Sequence, residues 1–216
     1  MKPITDSSKV NEVMNSRFIG EVYPSKAAFK KALQSGRRLT IYHGVDPTSP
    51  DLHLGHSTNY LLLRRLQSLG HRTILLVGDF TARVGDPSDR LSARRPLSEK
   101  EILQNSKDYK QQAGKILDFG SGKNPAEIAF NSKWLKKLGL GEVLQLMSHF
   151  TLAQVIERDM FQKRIKQNKA IYLHEFIYPL LQGYDSVGLN TDVEVGGTDQ
   201  TFNMLMGREI MKIYKG

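Results

Sequence analysis

Apolar positions along the chain change their period several times, and each change marks an element. From Ser25 to Ser35, Ala28, Phe29 and Leu33 recur at helical spacing, and Gly36 stands just past the end. That pattern predicts a helix stopped by glycine. Arg38 to Val45 follows as a strand with Leu39 and Ile41 on one face. Asp46-Pro47-Thr48-Ser49-Pro50 is turn chemistry, because two prolines restrict the chain and remove donors. A second helix is expected from about His53 to Leu69, with Leu62, Leu66 and Leu69 along one side and Gly70 as its stop. Thr73 to Val77 is a continuous apolar run, which suits a strand buried on both faces of a parallel sheet. Strand, helix and strand in this order make a βαβ unit.

Beyond that unit the pattern is less regular. Gly78 to Pro96 reads as a polar loop carrying Arg83, Arg90, Arg94 and Arg95. Ser98 with Glu101 forms a capping-box pattern that opens a helix to about Leu117, and 120–125 is a turn-rich break. Trp134 to Gln167 is mostly helical, with Leu152, Val155, Ile156, Met160 and Ile165 in the pattern. It reads as an insertion, not as another βα repeat. A helix from Leu173 to Leu181 leads to Tyr184-Asp185, Thr191 to Val195 is another strand, and Gly196-Gly197 precede a last helix. No internal repeat is present. The expected fold is α/β: a Rossmann-like doubly wound parallel sheet with an inserted helical connective region, binding ligands at the carboxyl ends of its strands.

Composition narrows this. At 216 residues, 39% hydrophobic and 25% charged, the chain suits one soluble globular domain with an insertion. No apolar run approaches the roughly 18 residues of a membrane helix. The absence of cysteine excludes disulfides and thiolate zinc sites and fits a reducing compartment. Met1 to Asn15 lacks the apolar core of a signal peptide, so the cytoplasm is the expected location. A net charge of +9 suits a polyanionic partner or phosphorylated substrates, and equally a basic surface with no dedicated partner.

Polar chemistry collects at the predicted strand ends. His53 and His56 flank Leu54-Gly55 at a helix start, where free backbone N–H groups and partial positive charge favour phosphate. Gly55 lets a flat base or a phosphate approach the backbone, and imidazole N–H groups can donate to a phosphoryl group as charge develops. The same residues serve equally as plain capping histidines. Two histidines three apart lack a third ligand nearby, so no metal site is expected. In Gly196-Gly197-Thr198-Asp199-Gln200, Asp199 can accept from ribose hydroxyls and Gln200 can donate and accept, though an ordinary glycine turn with an Asp cap reads the same way. Tyr178, Gln182 and Asp185 are spaced to share one helix face and to line a small polar pocket, or to serve as core and turn residues. Asp86, in Gly85-Asp86-Pro87, could receive an ammonium group or fix its turn.

Taken together, the order of Gly44-Val45-Asp46-Pro47-Thr48, Asp51 to His56, Val84 to Ser88, Tyr178 to Asp185 and Gly196 to Gln200 resembles the tyrosyl-tRNA synthetases. These are class I aminoacyl-tRNA synthetases, and the likeness runs from about Tyr42 to the end. The resemblance implies a tyrosine–tRNA ligase that joins tyrosine to ATP, then passes the tyrosyl group to tRNA(Tyr). It implies ATP as substrate with Mg2+ carried on it, no tightly bound protein metal, and no membrane. His53 and His56 match the family's HIGH motif, with Leu54 in place of Ile, and Thr48 matches a γ-phosphate contact. Gly44, Gly55 and Gly197 fall in the nucleotide-facing motifs. Asp46, Asp86, Tyr178 and Gln182 match positions around the tyrosine ammonium and adenylate, Asp199 the ribose aspartate, and Gln200 an adenylate contact. Tyr42 and Asp185 match the pair that hydrogen-bonds the tyrosine phenol. Such a pair rejects phenylalanine, because buried polar groups would otherwise stay unpaired.

The resemblance also implies two things that the sequence modifies. The family's second signature, KMSKS, follows the Gly-Thr-Asp-Gln turn, and none occurs in these residues. Residues 1–216 therefore read as a catalytic-domain fragment that binds tyrosine, with adenylate synthesis much reduced. The family is homodimeric through its helical region, here about 130–175, where Lys163, Arg164, Lys166 and Lys169 are candidates to meet tRNA or form a solvated face. Two other readings stay open: a tryptophanyl-type synthetase, and a non-catalytic RNA-binding or interaction module derived from a synthetase.

Overall fold

Two short strands, buried along most of their length on both faces, organise the molecule, a computed structural model that describes residues 2–88, 96–120 and 122–215, with Asp159 described by its backbone alone. Helices α1 (Ser7–Met14) and α2 (Lys26–Gln34) precede strand β1 (Thr40–Val45), and α3 (Leu54–Ser68) connects it to β2 (Arg72–Val77). A 3-10 turn at Thr81–Arg83 leads to α4 (Glu99–Ser106), α5 (Tyr109–Ala113) and β3 (Glu127–Phe130). Four short helices follow: α6 (Ser132–Leu135), α7 (Leu140–Ser148), α8 (Leu152–Ile156) and α9 (Asp159–Lys166). After a 3-10 turn at Leu173–Phe176 come α10 (Tyr178–Leu189), β4 (Val193–Glu194), another 3-10 turn at Thr198–Gln200, and α11 (Thr201–Lys215).

All strand pairs are parallel, in the order β3-β2-β1-β4. The chain moves outward from β1 through β2 to β3, then returns to the opposite side of β1. The direction of winding therefore reverses between β1 and β4, and a crevice opens there at the strands' carboxyl ends. The doubly wound expectation holds. Period-two alternation splits the sheet. Ile41, Val45, Leu75 and Val77 pack with Val13, Leu33, Leu63 and Leu66 from α1, α2 and α3. Tyr42, Ile74 and Leu76 face the other way, against Ala129, Trp134 and Leu189. Across that second face α10 lies close to α11, because Gly183 meets Gly207: a Cβ on Gly183 would come within 3.0 Å of the Gly207 Cα.

Local signals hold at several ends. The Ser25 side chain caps α2 through the Ala28 N–H at 3.1 Å, and Gly36 adopts φ +77° beyond it. The Ser98–Glu101 capping box is present. The Asp46-to-Asp51 turn is fastened from outside: Asn105 Nδ2 donates to the Pro47 carbonyl, the Tyr109 hydroxyl to that of Ser49, and Gln112 Nε2 to that of Pro50.

The structure departs from the sequence pattern in four places. β3 lies where no strand is expected, because Glu-Ile-Ala-Phe is too short to show a period; its register against β2 and the Arg72–Glu127 bidentate pair define it. The helix expected from Ser98 to Leu117 is interrupted between Ser106 and Tyr109. The helix expected to end at Leu181 starts at Tyr178 instead and runs through Asp185 to Leu189, with Asn190 left-handed at φ 50°. Arg164, a candidate for tRNA contact, is fully buried against Glu175, its guanidinium 2.5 Å from the carboxylate. It is packed inside, whereas Lys163, Lys166 and Lys169 are exposed. Of the loop arginines, Arg90, Arg94 and Arg95 lie outside the described residues.

Candidate active site

The crevice at the winding reversal holds a cleft of about 430 Å³, and every residue singled out from the sequence as a candidate for tyrosine or ATP lines it, whereas the candidates for tRNA contact do not. Its mouth is the start of α3. His53 is the residue before the helix, and its backbone N–H donates to His56 Nδ1 at 3.2 Å. That bond fixes the His56 tautomer, leaving Nε2 to carry the hydrogen. The two rings stack with centroids 3.8 Å apart. A Cβ on Gly55 would lie 2.9 Å from His53 Nδ1, so glycine is required here to seat the ring. Desolvation, aided by the neighbouring imidazoles His53 and His43, pushes the His56 pKa down to about 4. His56 is therefore a neutral donor at pH 7. Thr48 lines the same end, its N–H bonded to the Asp46 carbonyl at 2.7 Å.

The opposite end is built from carboxylates and phenols. Asp46, just past β1, accepts from Thr81 Oγ1 at 2.6 Å and from the Tyr178 hydroxyl at 3.0 Å. A Cβ on Gly78 would collide with this carboxylate, which is why the chain can turn so tightly behind it. Asp185 is buried and accepts from Trp134 Nε1 at 2.8 Å and Asn131 Nδ2 at 3.1 Å. Burial holds its pKa well above the usual carboxylate range in spite of those two donors. A carboxylate has about four acceptor positions, so Asp185 keeps capacity for another donor. The Tyr42 hydroxyl shares a 3.0 Å hydrogen bond with Ser186 Oγ, and burial first, then Glu194 and Asp185, keeps that phenol protonated. Gly44 is exposed to the cleft between these ends, with no neighbour closer than 3.9 Å to a Cβ placed there.

Polar residues bridge the two ends. Gln200 Nε2 donates to Asp86 Oδ2 at 2.7 Å and to Asp199 Oδ2 at 2.8 Å. Asp86 also accepts from the Ser88 N–H at 2.9 Å, so it both fixes its own turn and reaches the cleft. Gly197 gives Asp199 room, since a Cβ there would strike its carboxylate. Gln182 donates to Glu194 at 3.1 Å.

Several lining or supporting residues escape sequence reading. His43 donates from Nδ1 to the Val195 carbonyl at 2.7 Å and stands edge-on to Tyr60. Asn131 joins Thr81 to Asp185. Trp134 is the chain's single tryptophan, a signal that could have drawn attention to it. Glu194 sits in a two-residue strand that offers no period.

A family model described as tRNA synthetases class I (W and Y) matches residues 34–216. A tyrosine–tRNA ligase of Carboxydothermus hydrogenoformans is 45% identical, over 98% of this chain and 51% of its own length. That of Haemophilus ducreyi is 50% identical, over 91% and 48%. The chain thus spans about half the length of the curated relatives it matches. Among solved structures, a C-terminally truncated Aspergillus nidulans mitochondrial tyrosyl-tRNA synthetase superposes with a TM-score of 0.83 at 28% identity, covering 94% of this chain and 60% of the other.

Proposed function

The chain belongs to the class I tRNA synthetases of the W and Y family, and from that premise we propose that its cleft binds tyrosine and ATP for the activation step of a tyrosine–tRNA ligase. The observation that carries the reading is Asp185: a buried carboxylate with spare acceptor capacity, beside the Tyr42 phenol, in a cleft whose other end is a helix start with two histidines. A tyrosine hydroxyl would donate to Asp185. Its ammonium would sit among Asp46, Asp86, Tyr178 and Gln182. ATP would place its phosphates against the α3 N-terminus, His53, His56 and Thr48, with the ribose on Asp199 and the adenylate against Gln200, Gly44, Gly55 and Gly197. A tyrosine carboxylate oxygen then attacks the α-phosphorus, and the bond to the pyrophosphate oxygen breaks. Orientation and hydrogen bonds to the phosphoryl oxygens supply the catalysis, and no protein nucleophile is needed. Mg2+ enters as part of the nucleotide, on its phosphates. The adenylate's tyrosyl group passes to tRNA(Tyr), and a cytoplasmic location belongs to the same reading.

Two finer points follow. No Lys or Arg lines the cleft among the described residues, so these residues offer little positive charge to hold a leaving pyrophosphate. Adenylate synthesis is accordingly much reduced in this chain while tyrosine binding persists. The helical region of about 130–175 carries exposed Leu140, Leu144, Leu152 and Leu173, apolar surface that supports a homodimer.

A thermal-shift panel with pyrophosphate exchange tests the reading. L-tyrosine is expected to raise Tm, since a ligand bound only by the folded state stabilises it. Tyrosine-dependent exchange is expected to be slow. Stabilisation by tryptophan but not tyrosine would transfer the chain to the tryptophanyl branch, and exchange at the rate of an intact enzyme would overturn the reduced-activity claim. No response to tyrosine, tryptophan or ATP would favour a non-catalytic RNA-binding or interaction module.

A further inference from the structure

Glu194 is the register partner of Tyr42, so both side chains rise from one face of the sheet toward α10. Its Oε1 accepts from Gln182 Nε2 at 3.1 Å, while Oε2 is buried with no hydrogen bond of normal geometry. Gln182 Oε1 in turn accepts from Asn203 Nδ2 at 3.0 Å, and the same Nδ2 donates to Gln200 Oε1 at 2.9 Å. Gln200 then spends its own NH2 on Asp86 and Asp199. Asn203 is fully buried, so this relay runs through the interior from one end of the cleft to the other.

The direction of the relay has a chemical cause. A carboxylate only accepts, so Glu194 obliges Gln182 to present its NH2. The Gln182 carbonyl must then face Asn203, whose NH2 serves both glutamine carbonyls. Gln200 is left with its NH2 toward two more carboxylates. Acidic groups at both ends permit one arrangement of all three amides. We propose that Glu194 is a positioning residue that fixes, through the buried relay Gln182–Asn203–Gln200, the orientation in which both ends of the cleft present their amides to ligand. The inference rests on the reading in which Gln182 faces the amino acid and Gln200 the adenylate.

The anchor can be released by a proton. Burial lifts the Glu194 pKa to about 7, against the lowering effect of its hydrogen bond with Gln182 and of the nearby Tyr42 hydroxyl. The titratable groups bearing on it are Tyr42 from β1 and Asp185 from α10. α11 packs there with Asn203 and Gly207, neither of which titrates. Above neutrality the carboxylate enforces the order; below it, a protonated Glu194 can donate and the Gln182 amide loses its constraint.

The test uses the ligand-free protein and its Glu194→Gln variant, which preserves shape. In 15N-resolved NMR of side-chain amides, Gln182 and Asn203 are expected to titrate together with a midpoint near pH 7, and not to do so in Glu194→Gln. Calorimetry with L-tyrosine should show affinity falling about fivefold from pH 8 to pH 6 in the parent and less than about twofold in the variant. Amide shifts that are flat in the parent, or that titrate equally in the variant, would overturn the proposal, as would an equal slope of tyrosine affinity in both proteins. If the amides titrate as expected but tyrosine binds at no pH, the relay stands and the tyrosine reading of the cleft falls instead.

Discussion

His56 illustrates how position sets the chemistry of a single residue. The sequence places it at a helix start, where a phosphate donor is wanted. Burial and two neighbouring imidazoles then depress its pKa to about 4, so it acts as a neutral donor and not as a cation. Between the ordinary histidine value near 6.5 and about 4, the unfolded chain takes up a proton that the folded ring refuses. The stability present above the upper value is lost as pH falls through this window. His56→Asn retains an acceptor for the His53 N–H and removes the titration. Its Tm is expected to decline less than the parent's between those two pH values; parallel declines would refute the shifted pKa. Residues of this kind were legible because polar groups at strand ends have few structural duties. Asn131, Asn203 and Glu194 were not, since each is defined by partners distant in the chain, as Asn131 is by Asp185, 54 positions away.

Elements were legible where a cap and a period agree. Ser25 with Gly36, and Ser98 with Glu101, mark their helix ends without help from the rest of the fold. β3 needed β2 beside it. The end of α10 was misplaced because Gly183 and Tyr184-Asp185 look like a turn, yet Gly183 is small to admit Gly207 of α11. That correction matters for the site, since a continuous helix holds Tyr178, Gln182 and Asp185 on one rigid face. The same logic applies to α7, whose Leu146 is buried while Leu140 and Leu144 are 75% and 57% exposed. If this face joins two copies, Leu144→Asp buries an unpaired charge at the interface and should convert dimer to monomer in sedimentation velocity, with the fold intact by circular dichroism. A parent that is already monomeric, or an unchanged dimer in the variant, would contradict that assignment.

At the scale of the whole molecule, charge is divided within a basic chain. The chain carries a net charge of +9, yet among the described residues no Lys or Arg lines the cleft, whose floor gathers Asp46, Asp185 and Glu194 and whose mouth offers the neutral His56 imidazole and a helix N-terminus. An acidic floor suits an ammonium and a phenol, and a helix start suits phosphate, which is the arrangement the proposed function requires of one cleft. Buried acids lower stability when ionised, which is a common consequence of building a site before its ligand arrives. No helix among the described residues is long and apolar enough to cross a membrane. The most direct measurement is calorimetric titration of tyrosine and phenylalanine into the parent and into Asp185→Ala, with ATP titrated in parallel. The account predicts tyrosine preferred over phenylalanine by at least about a hundredfold in the parent, that preference largely gone in the variant, and ATP affinity within about twofold in both. Equal affinity for tyrosine in parent and variant, or a parent that does not distinguish the two amino acids, would contradict it.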